Sequence, residues 1–193
     1  MKWQEAKIKK MIDNKTVNNL INIMGRVKDL RRSGWLKRQV PKPESDGDHM
    51  FSTAFLVLLL APKYAVNKTH CLELALTHDL QEIISGDPVP GEKTLLDKYE
   101  TELQAITEIS QQLEMPCLID WFKEFEAKQT PEAQFVKSLD RLDTVLTAAY
   151  YDRTRHSEPK VWEEFSSYAL NCLEDNPSDV AKEACQIIQN IKI

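Results

Sequence analysis

Hydrophobic and polar positions along this chain recur with a period near 3.6, and few segments alternate strictly with a period of two. That pattern predicts helices over residues 15–32, 48–62, 69–85, 94–114, 116–128, 131–155, 160–174 and 177–191. The stretch "SDGDHMFSTAFLVLLLAP" reads as a helix start, with Ser45, Asp46 or Asp48 as the cap and Pro62 near the end. The next helix starts near Asn67 or Thr69 and stops at Gly86. "TPEAQFVKSLDRLD" opens with Thr130 as N-cap, Pro131 at the first helical position and Glu132 in the first turn. "NPSDVAKEACQIIQNI" repeats that grammar near the C-terminus. The least regular stretches are 33–47, with Pro41 and Pro43, and 86–93, with Pro88 and Pro90. With no internal repeat, low-complexity tract or long linker, the expectation is an all-α fold: a single domain over residues 1–193, its C-terminal helices 160–191 packing on the rest.

Composition narrows the class. At 42% hydrophobic residues the chain can bury a core, and at 28% charged it should be soluble. The longest apolar run, Phe55 to Ala61, is far too short to span a bilayer, so no membrane partner is expected. The first residues, "MKWQEAKIKKMIDNK", lack the apolar core of a signal peptide, and the expectation is a cytoplasmic protein. The four cysteines are scattered without a C-x-x-C pair, which argues against a zinc ribbon or a disulfide framework and for reduced, mostly buried thiols. Net charge is −5, yet residues 1–42 carry 12 Lys or Arg against three acids. Such a segment can serve an anionic ligand locally; without a recognition motif and with an acidic total, no nucleic-acid polymer is expected as partner. The absence of a P-loop or G-x-G-x-x-G argues against a kinase or dehydrogenase.

The informative chemistry lies in "LTHDLQEIISGDPVP", Leu76 to Pro90. On a helix His78 and Glu82 share a face, and Asp79 meets Glu82 one turn on. Burying these groups is costly unless something satisfies them, and a divalent metal would. Imidazole and carboxylate together suit Mn, Fe, Co, Ni or Zn, whereas calcium favours oxygen ligands alone. Two side chains do not complete a site. Further donors are available in His49, at the start of the preceding helix, and in Asp140, beside the apolar face of Leu139, Leu142, Val145 and Leu146. Asp143 follows three residues on. Taken singly, His49 reads as a helix-end residue and Asp140 as a partner of Lys137 or Arg141; the set reads differently.

The order His49, His78–Asp79, Asp140 resembles the HD-domain superfamily of metal-dependent phosphohydrolases. Three blocks are more specific, and they resemble the signatures of its 5′-deoxynucleotidase branch. They are Gly34, Trp35 and Arg38 with Pro43, Glu44, Ser45, Asp48, His49 and Met50; "LTHDLQEIISGDPVP"; and "EAQFVKSLDRLD". Together they span residues 34–143. The resemblance implies an HD domain with one divalent transition metal (Mn, Co, Fe, Ni or Zn) held by His49, His78, Asp79 and Asp140. It implies that Glu82 and Asp87 act on the reacting water or the leaving oxygen, with Trp35 and Arg38 on the substrate side. The implied substrates are small nucleotides, deoxyribonucleoside 5′-monophosphates, and the implied assembly is a homodimer, for which the amphipathic C-terminal helices could supply the interface. Two departures stand out. Asp46–Gly47 replaces residues that are usually small or apolar, which could alter the pocket rim. Gly34 stands where the bacterial enzyme has an Arg, a role that Arg31, Arg32 or Arg38 could fill. The alternatives are a related phosphohydrolase acting on nucleoside triphosphates, cyclic nucleotides or guanosine tetraphosphate, and a non-catalytic interaction protein stapled by its metal. A structural staple needs neither Glu82 nor Asp87.

Overall fold

The computed structural model describes residues 14–88, 95–154, 160–174, 176 and 178–193. Among them lie ten α-helices and no strand, so the fold is all-α. In chain order they are α1 (Asn14–Asp29), α2 (Ser33–Lys37), α3 (Asp46–Leu60), α4 (Lys68–Ala75), α5 (Glu82–Ser85), α6 (Leu95–Leu113), α7 (Cys117–Ala127), α8 (Pro131–Thr154), α9 (Trp162–Glu174) and α10 (Asp179–Asn190). The longest of them, α8, is central: α3, α4, α7, α9 and α10 all pack on it. Its Ala133, Val136, Leu139, Leu142 and Val145 are fully buried in the main core. A second cluster, around Ile23, Ile83, Ile109 and Phe122, joins α1, α5, α6 and α7. None of the helices among the described residues is long and apolar enough to cross a membrane. All four cysteines are free, with Cys71 buried and Cys172 exposed.

Local chemistry explains the element ends. Ser45 caps α3 reciprocally with Asp48: the Asp48 amide donates to Ser45 Oγ at 3.1 Å and the Ser45 amide to Asp48 Oδ2 at 2.9 Å. Thr130 Oγ1 accepts from the Ala133 amide at 3.1 Å and starts α8. Gly47 lets α3 run close to α1, since a Cβ there would stand 2.9 Å from Val27 Cγ1 and 3.1 Å from the Val27 carbonyl.

Two expectations change. The helix over 69–85 is not continuous: α4 ends at Ala75, residues 76–81 form turns, and α5 is one short helical piece. There the bonds become i to i+3, from the Thr77 amide to Leu74 O (3.2 Å), Leu80 to Thr77 (3.1 Å) and Glu82 to Asp79 (3.0 Å). The Ala75 carbonyl is taken instead by His78 Nδ1 at 2.9 Å, and the His78 carbonyl by Gln81 Nε2 at 2.9 Å. Second, the irregular 33–47 stretch contains α2, and an antiparallel bridge between Arg31 and Ser45 ends α1 before residue 32. Of the 86–93 loop only Gly86 to Pro88 is among the described residues, with Gly86 at a φ of 80° that favours glycine. Pro90 and the first 13 residues of the basic segment lie outside them.

Candidate metal centre and its cavity

The broken helix brings His78 and Asp79 under the first turn of α3 and the middle of α8. His49 is 0% exposed, and its Nε2 lies 3.2 Å from His78 Nε2, 3.2 Å from Asp140 Oδ1 and 3.7 Å from Asp79 Oδ2. His78 Nε2 is 3.3 Å from Asp79 Oδ2. His49, His78 and Asp79 thus offer donors within 4.8 Å of one another, and Asp140 approaches this group through His49 Nε2. The other ring nitrogens are occupied: His78 Nδ1–H donates to Ala75 O, and His49 Nδ1–H donates to Asp143 Oδ2 at 2.7 Å. Two imidazole Nε2 atoms therefore face each other with their lone pairs available, which is the ligating arrangement. Donors bound at about 2.1 Å to one ion sit roughly 3 Å apart when adjacent, so the spacing fits a single cation.

The field at this point demands positive charge. Burial and Arg32 oppose a charge on His49, yet Asp140 and Asp143 push its pKa up to about 10. Burial likewise opposes ionisation of Asp79 and Asp140, but His78 and Arg32 hold Asp79 well below the carboxylate range, as Arg141, Lys137 and His49 do Asp140. A divalent ion among these donors answers the same field more strongly than a proton does.

Beside this centre lies a second group, with one carboxylate oxygen each from Asp46, Glu82 and Asp87 within 4.8 Å of one another. Asp46 is not on a rim: it is 0% exposed, and neither of its oxygens has a hydrogen-bond partner among the described residues. Burial, with Asp79 and Asp87 close by, pushes its pKa up to about 8. Burial and the same acids hold Glu82 well above the usual range. Asp87 is fixed from the other side, where the Ser33 amide donates to its Oδ2 at 2.6 Å.

A cavity of about 350 Å³ opens next to Asp87, walled by α2, α8 and α9, with Arg32, Arg141, Phe165 and Tyr168 among its lining residues. Trp35 and Arg38, expected on the substrate side, line it too, and both are held by partners within the wall. Trp35 is 1% exposed; its indole N–H donates to Glu44 Oε1 at 2.9 Å and its ring stacks on Phe165 at 4.2 Å, so it is a core aromatic behind the wall. Arg38 donates through Nε (2.7 Å) and a second nitrogen to Glu164, and to Gly34 O at 2.8 Å, which uses its fork. Arg32 is the guanidinium nearer the centre, 3.0 Å from Asp79 Oδ2 and 3.8 Å from Glu44 Oε1. Sequence reasoning gave Asp143 no role and left Arg32 as one of three options. For Asp143 a signal existed: an acid one helical turn from Asp140 shares its face.

Known proteins now enter. A family model described as HD domain matches residues 24–173. The 5′-deoxynucleotidase HDDC2 of Xenopus laevis is 33% identical over 159 residues, covering 80% of this chain and 79% of that one. The 5′-deoxynucleotidase hdd1 of Schizosaccharomyces pombe is 34% identical over 146 residues, covering 72% and 73%. Among solved structures, a conserved hypothetical protein from Pyrococcus furiosus superposes with a TM-score of 0.76 at 32% identity, covering 89% of this chain and 98% of its own. Fold, ordered ligand-type residues and a match over most of its length agree, and the chain belongs to the HD-domain family.

Proposed function

We propose that this protein is a metal-dependent phosphomonoesterase that hydrolyses deoxyribonucleoside 5′-monophosphates to deoxynucleoside and phosphate. One observation carries the reading: His49, His78 and Asp79 offer donors within 4.8 Å of one another with both imidazole Nδ1 atoms tied, Asp140 approaches His49 Nε2, and beside them lies a cavity that offers both guanidinium and carboxylate groups. The names of the two relatives, both 5′-deoxynucleotidases, support the substrate class. HD-domain membership and the donor set imply a divalent metal, held in this proposal by His49, His78, Asp79 and Asp140. Mn, Co, Fe, Ni and Zn all suit these ligands. When bound, the metal supplies Lewis-acid stabilisation of phosphoryl charge and lowers the pKa of a coordinated water.

The chain's own groups do the rest. Glu82, held at a raised pKa, is a stronger proton acceptor than an ordinary carboxylate and takes the proton of the attacking water. Asp87, anchored by the Ser33 amide, faces the departing 5′-oxygen and delivers a proton to it. Arg32 balances the carboxylates on the cavity side. Trp35 and Arg38 shape the substrate wall through Phe165 and Glu164.

The proposal extends to a cytoplasmic homodimer. The C-terminal helices have spent their apolar faces on the core, with Ala169, Leu173, Val180, Ala184 and Ile188 buried. Exposed apolar side chains gather instead on α1 and α3, among them Ile21, Met24, Phe51, Phe55 and Leu59. That outer face is the proposed dimer contact.

The test is direct. Protein charged with Mn²⁺ or Co²⁺ should release phosphate from deoxyribonucleoside monophosphates, and EDTA should stop it. Glu82→Ala should retain stoichiometric metal and lose turnover by at least about 100-fold. Fully metallated wild type inert toward every such substrate refutes the proposal.

A further inference from the structure

The cavity presents three guanidinium groups, and they are not equally committed. Arg38 is closed onto Glu164 and the Gly34 carbonyl. Arg32 is tied to Asp79 at 3.0 Å. Arg141, on the α8 wall, makes no hydrogen bond among the described residues. Its ion-pair contact there is with Asp140 Oδ2 at 3.9 Å, beyond hydrogen-bond length. The guanidinium instead lies over the Tyr168 ring, 5.5 Å from its centroid. That stack fixes the direction of the group without using a single N–H, so all five donors remain for a ligand.

Two further facts define what the ligand should be. The Arg141 side chain is only 25% exposed, so its donors are partly withdrawn from water and gain more from an anionic acceptor. Arg32 lines the same cavity, and the two like charges repel each other. An anion seated between them relieves that repulsion and meets the uncommitted planar fork of Arg141, the geometry that suits phosphate oxygens. The Arg141 guanidinium also stands 3.9 Å from Asp140 Oδ2, and Asp140 Oδ1 lies 3.2 Å from His49 Nε2, so the group sits within two contacts of the metal-type donors.

We propose that Arg141 binds the phosphate of the substrate, forming with Arg32 a two-sided guanidinium clamp, and that Tyr168 is the positioning residue that holds Arg141 in place. The assignment rests on the phosphomonoesterase reading, and it adds to it the residue that captures the anion.

The experiment uses full-length Mn²⁺-loaded wild type, Arg141→Ala, Arg141→Gln, Arg141→Lys, Tyr168→Phe and Tyr168→Ala. The affinity for inorganic phosphate is measured by calorimetry, kcat and KM for all four common deoxyribonucleoside monophosphates by phosphate release, and bound Mn by elemental analysis. Losing a charge-assisted contact should raise the phosphate Kd and every KM about 10- to 100-fold in Arg141→Ala, by one factor for all four bases, with Mn content unchanged. Arg141→Gln, close in shape, should repeat the loss, and Arg141→Lys should recover part of it. Tyr168→Phe keeps the ring and should match wild type, whereas Tyr168→Ala should weaken phosphate in the same direction. Equal phosphate affinity in wild type and both neutral variants, or none in any of them, overturns the proposal. So does a KM effect that depends on the base, which would place Arg141 on the nucleobase, or a loss of Mn, which would make it a support for Asp140. Because phosphate binding is read without turnover, a wild type that hydrolyses no deoxynucleotide refutes the parent reading alone, while the phosphate affinities still decide this one.

Discussion

Asp143 reaches the proposed metal only through His49, and that makes it the sharpest test of how the centre is built. Its Oδ2 accepts the His49 Nδ1–H at 2.7 Å in a buried setting, which fixes the tautomer and turns Nε2 toward Asp140 and His78. A hydrogen bond to a charged group contributes roughly 1.5–3 kcal/mol, equivalent to about 10- to 150-fold in a binding constant. Asp143→Asn keeps an acceptor of the same shape and removes the charge, so the Mn²⁺ Kd should rise roughly tenfold. Asp143→Ala also frees the ring to turn or change tautomer, and the rise should approach about 100-fold. Glu44 can act as a fallback acceptor, since it offers an oxygen within 4.8 Å of the His49 and Asp143 atoms; Glu44→Gln in the Asp143→Ala background should therefore deepen the loss. The measurement is calorimetric titration of metal-free protein with Mn²⁺, alongside the thermal midpoint with and without metal. If both single variants bind Mn²⁺ within twofold of wild type, the outer partner does not orient His49 and the reasoning fails.

Three further outcomes are expected. Gly47→Ala should destabilise the fold by about 1–3 kcal/mol in a denaturant titration, because the added methyl meets Val27 at 2.9 Å, and an unchanged midpoint would show that α1 gives way freely. His70, on α4, meets Glu73 of the same helix (3.0 Å) and Glu124 of α7 (2.8 Å); burial opposes its charge, but the two carboxylates raise its pKa above the unfolded value near 6.5. Its contribution is then complete below about pH 6.5 and is lost as pH rises through the raised folded value, so the stability cost of His70→Ala should shrink between pH 6 and pH 9. A cost that grew with pH would reverse the assignment. Phe55→Glu on the outer face of α3, where Phe55 is exposed, should convert a dimer to a monomer in light scattering at unchanged helix content, and a persistent dimer would move the interface elsewhere.

What could be read from the chain follows from where each signal is stored. The spans 116–128 and 131–155 correspond closely to α7 and α8, because their apolar period and, for α8, the Thr130–Pro131 start are local properties. The interruption at 76–81 was hidden, because side chains of His78 and Gln81 substitute for the helix ladder while leaving the apolar spacing intact. A helix as short as α2 has too few residues to display a period. The order of His49, His78–Asp79 and Asp140 points to one centre, and the structure gathers His49, His78 and Asp79, with Asp140 beside His49. Partnerships across long sequence distances left no such trace. Nothing near Arg38 announces Glu164, which is 126 residues away, and an acid at position 46 reads as a helix cap until packing shows it buried against Glu82 and Asp87.

The centre also has a meaning for the chain as a polymer. His49 and Asp140 are 91 residues apart in sequence, and His49 and His78 are 29 apart, so an ion gripped by all of them would act as a reversible cross-link closing two large loops. Without the ion, Asp46 and Glu82 remain buried beside Asp79 and Asp87, where burial and those acids already disfavour their charged forms. Free metal at 100 times its Kd would add about 2.7 kcal/mol to the folded state. The junction of α3, α8 and the broken helix should therefore be the first part of the molecule to open when metal is scarce, and its hydrogen exchange should track metal concentration. The persistence of the folded chain then becomes a record of the metal supply around it.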